Sequence, residues 1–229
     1  MIILYSLLGF VLGAPINALA DALPLHRPLA VPAYLRRQGP LRFREAAVHA
    51  AGAVLFALLW ARLGTQPVPA VLLSFYTLVL LLVTVTDLEH KRIPDKAILP
   101  AIVIAVLGAP LRFGDGWGLA LLAGLIGFLF FYAAYWLGNR VWGRGALGWG
   151  DVKLAAFVGL ISGFPQVFVA LIVGLFAGGL IGALLLLTRR VSLRTAIPYG
   201  PFIVIGGFCA MVWGTEIILW YGGQFSGGG

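Results

Sequence analysis

Two aspartates at the ends of apolar segments, Asp87 and Asp151, hold the chemistry available to this chain. Asp151 stands in Gly148-Trp149-Gly150-Asp151-Val152-Lys153, and Asp87 in Thr84-Val85-Thr86-Asp87-Leu88-Glu89-His90-Lys91-Arg92-Ile93-Pro94-Asp95. A carboxylate pair can hydrolyse an amide. Two close acids resist double ionisation and share a proton, so that one activates water while the other polarises the scissile carbonyl. Other hydrolytic schemes lack residues: the only cysteine, Cys209, lies inside an apolar run, and the three histidines have no metal-ligand spacing. The glycine motif alone is weak, because a chain with 31 Gly and 5 Asp produces Gly-x-Gly-Asp by chance in roughly one case in ten. Acids at helix ends also commonly mark the water boundary of membrane proteins.

The elements that must position these acids follow from composition. The 229 residues are 61% hydrophobic and 10% charged, with mean hydropathy +1.01. Soluble proteins are about 25% charged, so this chain lacks the polar surface to cover a soluble globule. Its apolar runs approach the roughly 20 residues that cross a bilayer, and they are continuous instead of alternating, which predicts helices and excludes a strand barrel. The expected fold is an all-α polytopic membrane protein with about eight transmembrane helices in one domain over residues 1–229. Spans are predicted at residues 1–19, 46–61, 68–86, 96–111, 117–138, 152–164, 166–187 and 201–221, the sixth short enough to be partial. No Lys or Arg precedes the first run, so it reads as a retained helix and not as a cleavable signal. Residues 21–45, with four prolines and five arginines, read as a solvated loop.

Charge orients the bundle. Alternating loops place 14 of the 16 Lys and Arg residues on one side and only Arg62 and Arg112 on the other, and the basic side is cytoplasmic. Both termini are then extracytoplasmic, and Asp87 and Asp151 share the cytoplasmic face. The +8 net charge records topology and anionic-lipid contact and gives no reason to expect a nucleic-acid partner. Helix dipoles favour the anion at Asp151, near an N-terminus, over Asp87, near a C-terminus, which suggests Asp151 as initial base and Asp87 as protonated acid. Gly148 and Gly150 suit a tight turn and the close approach of an extended substrate. Lys153 reads as a snorkelling anchor. Glu89, His90, Asp95, Arg140 and Arg144 read as a solvated rim, and Tyr132, Tyr135, Trp136 and Trp142 as interfacial anchors. Gly174, Gly178 and Gly182 form a small-residue face for helix packing. The glycine-rich residues 222–229 read as a flexible terminus.

Four ordered segments resemble one family. Gly148-Trp149-Gly150-Asp151-Val152-Lys153-Leu154, followed by Gly159, is similar to the Gly-x-Gly-Asp-x-Lys-Leu signature of the type IV prepilin peptidases, a group of membrane aspartic proteases. The stretch from Asp87 to Pro94 and Asp95 is similar to the family's first aspartate segment. Gly13-Ala14-Pro15-Ile16-Asn17 with Leu23-Pro24 looks like its first-helix pattern, and Pro198-Tyr199-Gly200-Pro201-Phe202 like its Pro-Phe-Gly-Pro-Phe lead-in to the last helix. The resemblance implies catalysis by Asp87 and Asp151, supported by Gly148, Gly150, Lys153 and Pro94. It also implies a prepilin-like or pseudopilin-like substrate with a basic leader before an apolar helix, in the inner membrane.

The departures matter as much. Many bacterial relatives carry two Cys-x-x-Cys pairs in the first cytoplasmic loop, a zinc-binding element; residues 21–45 contain no cysteine, and no structural zinc is expected. Relatives that also methylate the new N-terminus usually have an acid after a Val in the second span, where this chain has Val48-His49-Ala50-Ala51. The peptidase half of the chemistry carries over and needs no cofactor. S-adenosylmethionine enters only if methyl transfer is retained. Two rival classes remain open to test. A non-catalytic scaffold of a pilus or secretion machine would keep the motifs without activity. A small transporter would place its acids near the midplane of repeated halves, whereas Glu216 is the only acid well inside a span. Oligomeric state is not legible.

Overall fold

The computed structural model describes residues 1–25, 27–28, 42–64, 67–114, 117–141, 147–188 and 198–226. These form α1 (Ile2–Ala22), α2 (Phe43–Leu63), α3 (Pro67–His90), α4 (Asp95–Phe113), α5 (Gly118–Val141), α6 (Trp149–Ser162), α7 (Val167–Leu187) and α8 (Gly200–Ser226). Among the described residues there is no strand. Seven of these helices are long and apolar enough to cross a membrane, and α6, with 14 residues, is not among them. The protein is the polytopic all-helical membrane protein its composition implies, with the sixth segment the short one.

Several boundaries differ from the hydropathy reading, each for a local reason. Helix α1 continues to Ala22 and α2 begins at Phe43, so Asp21 and Glu45 are helical and not loop residues. The α2 start is closed by the Glu45 carboxylate, which accepts the Arg42 backbone N–H at 2.8 Å, satisfying a donor that a helix start otherwise leaves orphaned. The cysteine-free stretch at 29–41 lies outside the described residues. Helix α3 runs to His90, which puts Asp87 one turn inside it: the Lys91 N–H bonds the Asp87 carbonyl at 2.9 Å. Helix α8 includes Gly222 and Gly223, so the expected flexible terminus is helical up to Ser226; residues 227–229 lie outside the described set.

Helix α3 stops because Lys91 adopts φ 52°, the left-handed conformation that costs an L-residue about 1–2 kcal/mol. Ile93 and the buried Pro94 then lead into α4, and the Pro94 carbonyl accepts the Ala97 N–H at 3.0 Å. Proline fixes φ and biases the preceding residue to an extended conformation, so the turn after Asp87 is short and stiff. Lys91→Gly is expected to raise stability by about 1 kcal/mol and Lys91→Val to lower it by about as much, read as shifts in thermal unfolding of detergent-solubilised protein.

The chain divides into two compact units, Met1–Ala97 and Ile98–Gly229. Lipid tails are as apolar as leucine, so helices associate in a bilayer by close van der Waals fit and not by hydrophobic exclusion. Small residues therefore mark the contacts. In the first unit the backbones of Gly9 on α1 and Gly52 on α2 touch, and Gly13 packs on His49. Ile16, Ala20, Val48, Leu81, Leu82 and Val85 fill the core between α1, α2 and α3. In the second unit α5 and α6 form an antiparallel hairpin in which Gly127 meets the Ala155 carbonyl and Gly159 the Ala123 carbonyl. Helices α7 and α8 run antiparallel, with Gly206 against Ala170 and Gly174 against Phe202. The expected small-residue face on α7 is therefore correct for Gly174 and Gly178. Gly182 meets none of the described residues, none of which lies within 4 Å of where its Cβ would be. Large apolar side chains such as Leu4, Leu175, Phe176 and Leu180 point outward, as lipid contact requires.

Candidate functional site

Asp87 is 5% exposed and Asp151 8% exposed. Acids that only marked the water boundary would be open to solvent, and these are not. Burying a carboxylate is costly unless it has partners, and both acids have them.

Asp151 is the third residue of α6. Its Oδ2 accepts the backbone N–H of Gly148, the N-cap, at 3.0 Å. The sequence makes this possible because Gly148 and Asp151 stand at the N-cap-to-N3 spacing at which an acidic side chain folds back on the helix start. Gly148 itself has φ −83° and ψ 146°, open to any residue, so the tight turn expected of it is absent. Its lack of a side chain matters in another way: a Cβ there would stand 3.1 Å from the Asp151 Oδ2. Gly150 lies inside the first helical turn, which likewise removes it from a turn role. Lys153, half-buried, follows two residues on and has a partner. Trp149 leans on α5, its ring 5.6 Å from Tyr135, 6.0 Å from Tyr132 and 6.3 Å from Phe128. Tyr132 and Tyr135 thus clamp the α5–α6 hairpin beside Asp151, a packing role that hydropathy alone cannot distinguish from interfacial anchoring. Arg140 stacks over Trp136 at 5.1 Å. Trp142 and Arg144 lie outside the described residues.

Asp87 sits in the last turns of α3, next to the fully buried Thr86, whose hydroxyl bonds the Val83 carbonyl. The end of this helix is held by Arg44, which sequence reading left as one more loop arginine. Its Nη2 pairs with Asp21 on α1 at 2.8 Å and its Nε with Glu89 on α3 at 3.4 Å. One guanidinium therefore ties three helices together two residues from Asp87. Glu89 is part of this network and not merely a solvated rim. The signal that could have found it was the Glu45 cap, which brings Arg44 into the first turn of α2. Asn17, fully buried, donates from Nδ2 to the Glu45 carbonyl at 3.3 Å, which gives the first-helix motif a concrete task in fixing α1 to the start of α2. Asp87 belongs to the first unit and Asp151 to the second.

The residue standing where methylating relatives are expected to carry an acid is His49. It is buried, its Nδ1 lies 2.6 Å from the Phe10 carbonyl, and its ring packs on Phe10 at 4.8 Å. The nearest acid on the same helix, Glu45, is turned to the Arg42 N–H. These residues do not fit the acid pattern associated with methyl transfer from S-adenosylmethionine.

Helices that cross a membrane, with two buried aspartates near helix ends, define a polytopic membrane protein with the parts of a carboxylate-based hydrolase. Comparison with known proteins agrees. The type IV leader peptidase family matches residues 74–183, which contain both aspartates. The prepilin leader peptidase/N-methyltransferase of Bacillus subtilis is 32% identical over 186 residues, covering 79% of this chain and 71% of that protein. The protein of the same name from Pseudomonas putida is 31% identical over 170 residues, 72% of this chain and 58% of the relative. That of Pseudomonas aeruginosa is 29% identical over 148 residues, 65% and 51%. The chain spans about half the length of these Pseudomonas relatives. No solved structure matches. The chain belongs to the type IV leader peptidase family.

Proposed function

We propose that this protein is a membrane aspartic endopeptidase that removes the basic leader from type IV prepilin or pseudopilin precursors, with Asp87 and Asp151 as the catalytic pair. The observation that carries this reading is the burial of both family-motif acids near helix ends, the Asp151 carboxylate being oriented by the Gly148 N–H. A hydrogen bond to the charged form and a helix N-terminus both favour an anion, which suits Asp151 as the group that takes a proton from water. Asp87 then serves as the acid that polarises the scissile carbonyl and later returns a proton to the leaving amine. Because coupled acids titrate as a pair, the roles describe the starting microstate. The charge asymmetry of the loops supports a cytoplasmic location for this chemistry and extracytoplasmic termini. Cleavage between a basic leader and an apolar helix belongs at such a boundary, where water reaches the bond and the substrate helix stays in lipid.

The test is coexpression with a prepilin-type precursor, following leader removal by electrophoretic shift with the wild type, Asp87→Asn and Asp151→Asn. Survival of cleavage in both variants would sink the aspartic mechanism, and a wild type that never cleaves would favour the scaffold reading. His49 stands where methylating relatives are expected to carry an acid, which argues against methyl transfer. The expected product therefore carries an unmodified N-terminus by mass spectrometry, and a single added methyl group on it would reverse that reading.

A further inference from the structure

Tyr199 precedes α8 and lies outside the family-matched residues 74–183. Its ring is firmly held. Gly178 on α7 leaves room for it: a Cβ there would meet the ring's Cε2 at 2.6 Å and its hydroxyl oxygen at 3.0 Å. Phe131 of α5 and Phe202 of α8 pack on it at 5.8 and 5.7 Å. The hydroxyl donates to the Gly174 carbonyl at 3.4 Å, at the long limit for such a bond, so its proton is weakly committed.

Helix register brings this phenol to the level of Asp151. Helices α6 and α8 run in the same direction, because Gly207 packs on Val158 and, further along both, Gly214 packs on Gln166 beyond the α6 end. Seven residues before the first contact, about 10 Å along each axis, lie Asp151 on α6 and Gly200, next to Tyr199, on α8. The two groups also interact electrically. Burial, the larger cause, and the Asp151 charge both push the Tyr199 phenol above the ordinary tyrosine value, so at neutral pH it is a protonated donor.

We propose that Tyr199 is a positioning residue for Asp151: its phenol hydroxyl exchanges the long bond to the Gly174 carbonyl for one to the ionised carboxylate and so holds that carboxylate ready to accept a proton from water. This rests on the assignment of Asp151 in the proposed peptidase. Other titratable groups around α6 are few among the described residues. Helix α5 brings Tyr132, Tyr135 and Arg140, α6 itself brings Lys153, and α7 has none; α8 carries Cys209, Glu216 and Tyr221 further along, and Arg112 of α4 bonds the Met211 carbonyl.

The experiment measures kcat and KM against pH for the full chain in membranes with a prepilin-type substrate. A donor to the carboxylate favours the charged form, so removing it raises the acid's proton affinity and moves the acidic limb of kcat upward. Tyr199→Phe is expected to lower kcat about fivefold, to shift that limb up by about 0.7 unit and to leave KM within about twofold. Gly178→Ala, which displaces the ring, should shift the limb the same way and add nothing in the double variant. Unchanged kcat and pH profile in Tyr199→Phe, or a loss of activity with the limb in place, overturns the assignment. If Asp151→Asn is inactive while Tyr199→Phe behaves as wild type, only the tyrosine role falls. If Asp151→Asn still cleaves, the peptidase reading and the role of Tyr199 fall together.

Discussion

Asp151→Asn is expected to lower kcat for leader removal by at least about a thousandfold, with Asp87→Asn close behind, since each removes one half of the proposed proton-transfer pair. The asparagine variants separate chemistry from folding. In Asp151→Asn the carboxamide oxygen can still accept the Gly148 N–H that closes α6 at 3.0 Å, so the helix start survives while the proton acceptor is gone. At position 87 the helical bond to Lys91 runs through the backbone carbonyl and does not depend on the side chain. Groups that act as a unit lose their effect together, so the double variant should be no slower than the slower single one. Additive losses would instead point to two independent roles. The measurement is the rate of precursor conversion in membranes at matched protein level, and conversion near the wild-type rate in either single variant would end the paired mechanism.

The second large effect concerns the fold under the site. Gly159→Leu should destabilise the second unit by about 3 kcal/mol or more and leave little folded enzyme in the membrane. A Cβ at this position already meets the Ala123 carbonyl carbon at 2.7 Å and the Gly124 Cα at 2.9 Å. Both are backbone atoms of α5 that cannot rotate away. The only relief is to part the α5–α6 hairpin, which also carries Trp149 and the start of α6. Even Gly159→Ala should cost about 1–3 kcal/mol. Gly182→Ala is the control: no described residue lies within 4 Å of the added Cβ, so the gain in helix propensity should leave it neutral or stabilised by up to about 1 kcal/mol. Thermal unfolding of purified protein in detergent reads both, and equal melting of Gly159→Ala and wild type would show that the hairpin tolerates a wider spacing.

Sequence by itself determined the solvent, the helices and the candidate acids. Bilayer thickness turns an apolar run into a span whatever its neighbours, so the eight helices of the described residues, with α6 the short one, were legible from hydropathy. The Asp87 and Asp151 motifs are local in sequence, and their order along the chain was sufficient to suggest the family. Boundaries were less legible, because hydropathy stops at the first polar residue while the backbone does not. Asp87 therefore fell one turn inside α3, and Asp21 and Glu45 proved helical. What only the tertiary structure decided depends on contacts distant in the chain. Arg44 changes from a loop charge into the tie between Asp21 and Glu89, and Gly178 from a packing glycine into the seat of a phenol. No residue type encodes such roles alone, since each is a distance between atoms that helix packing sets.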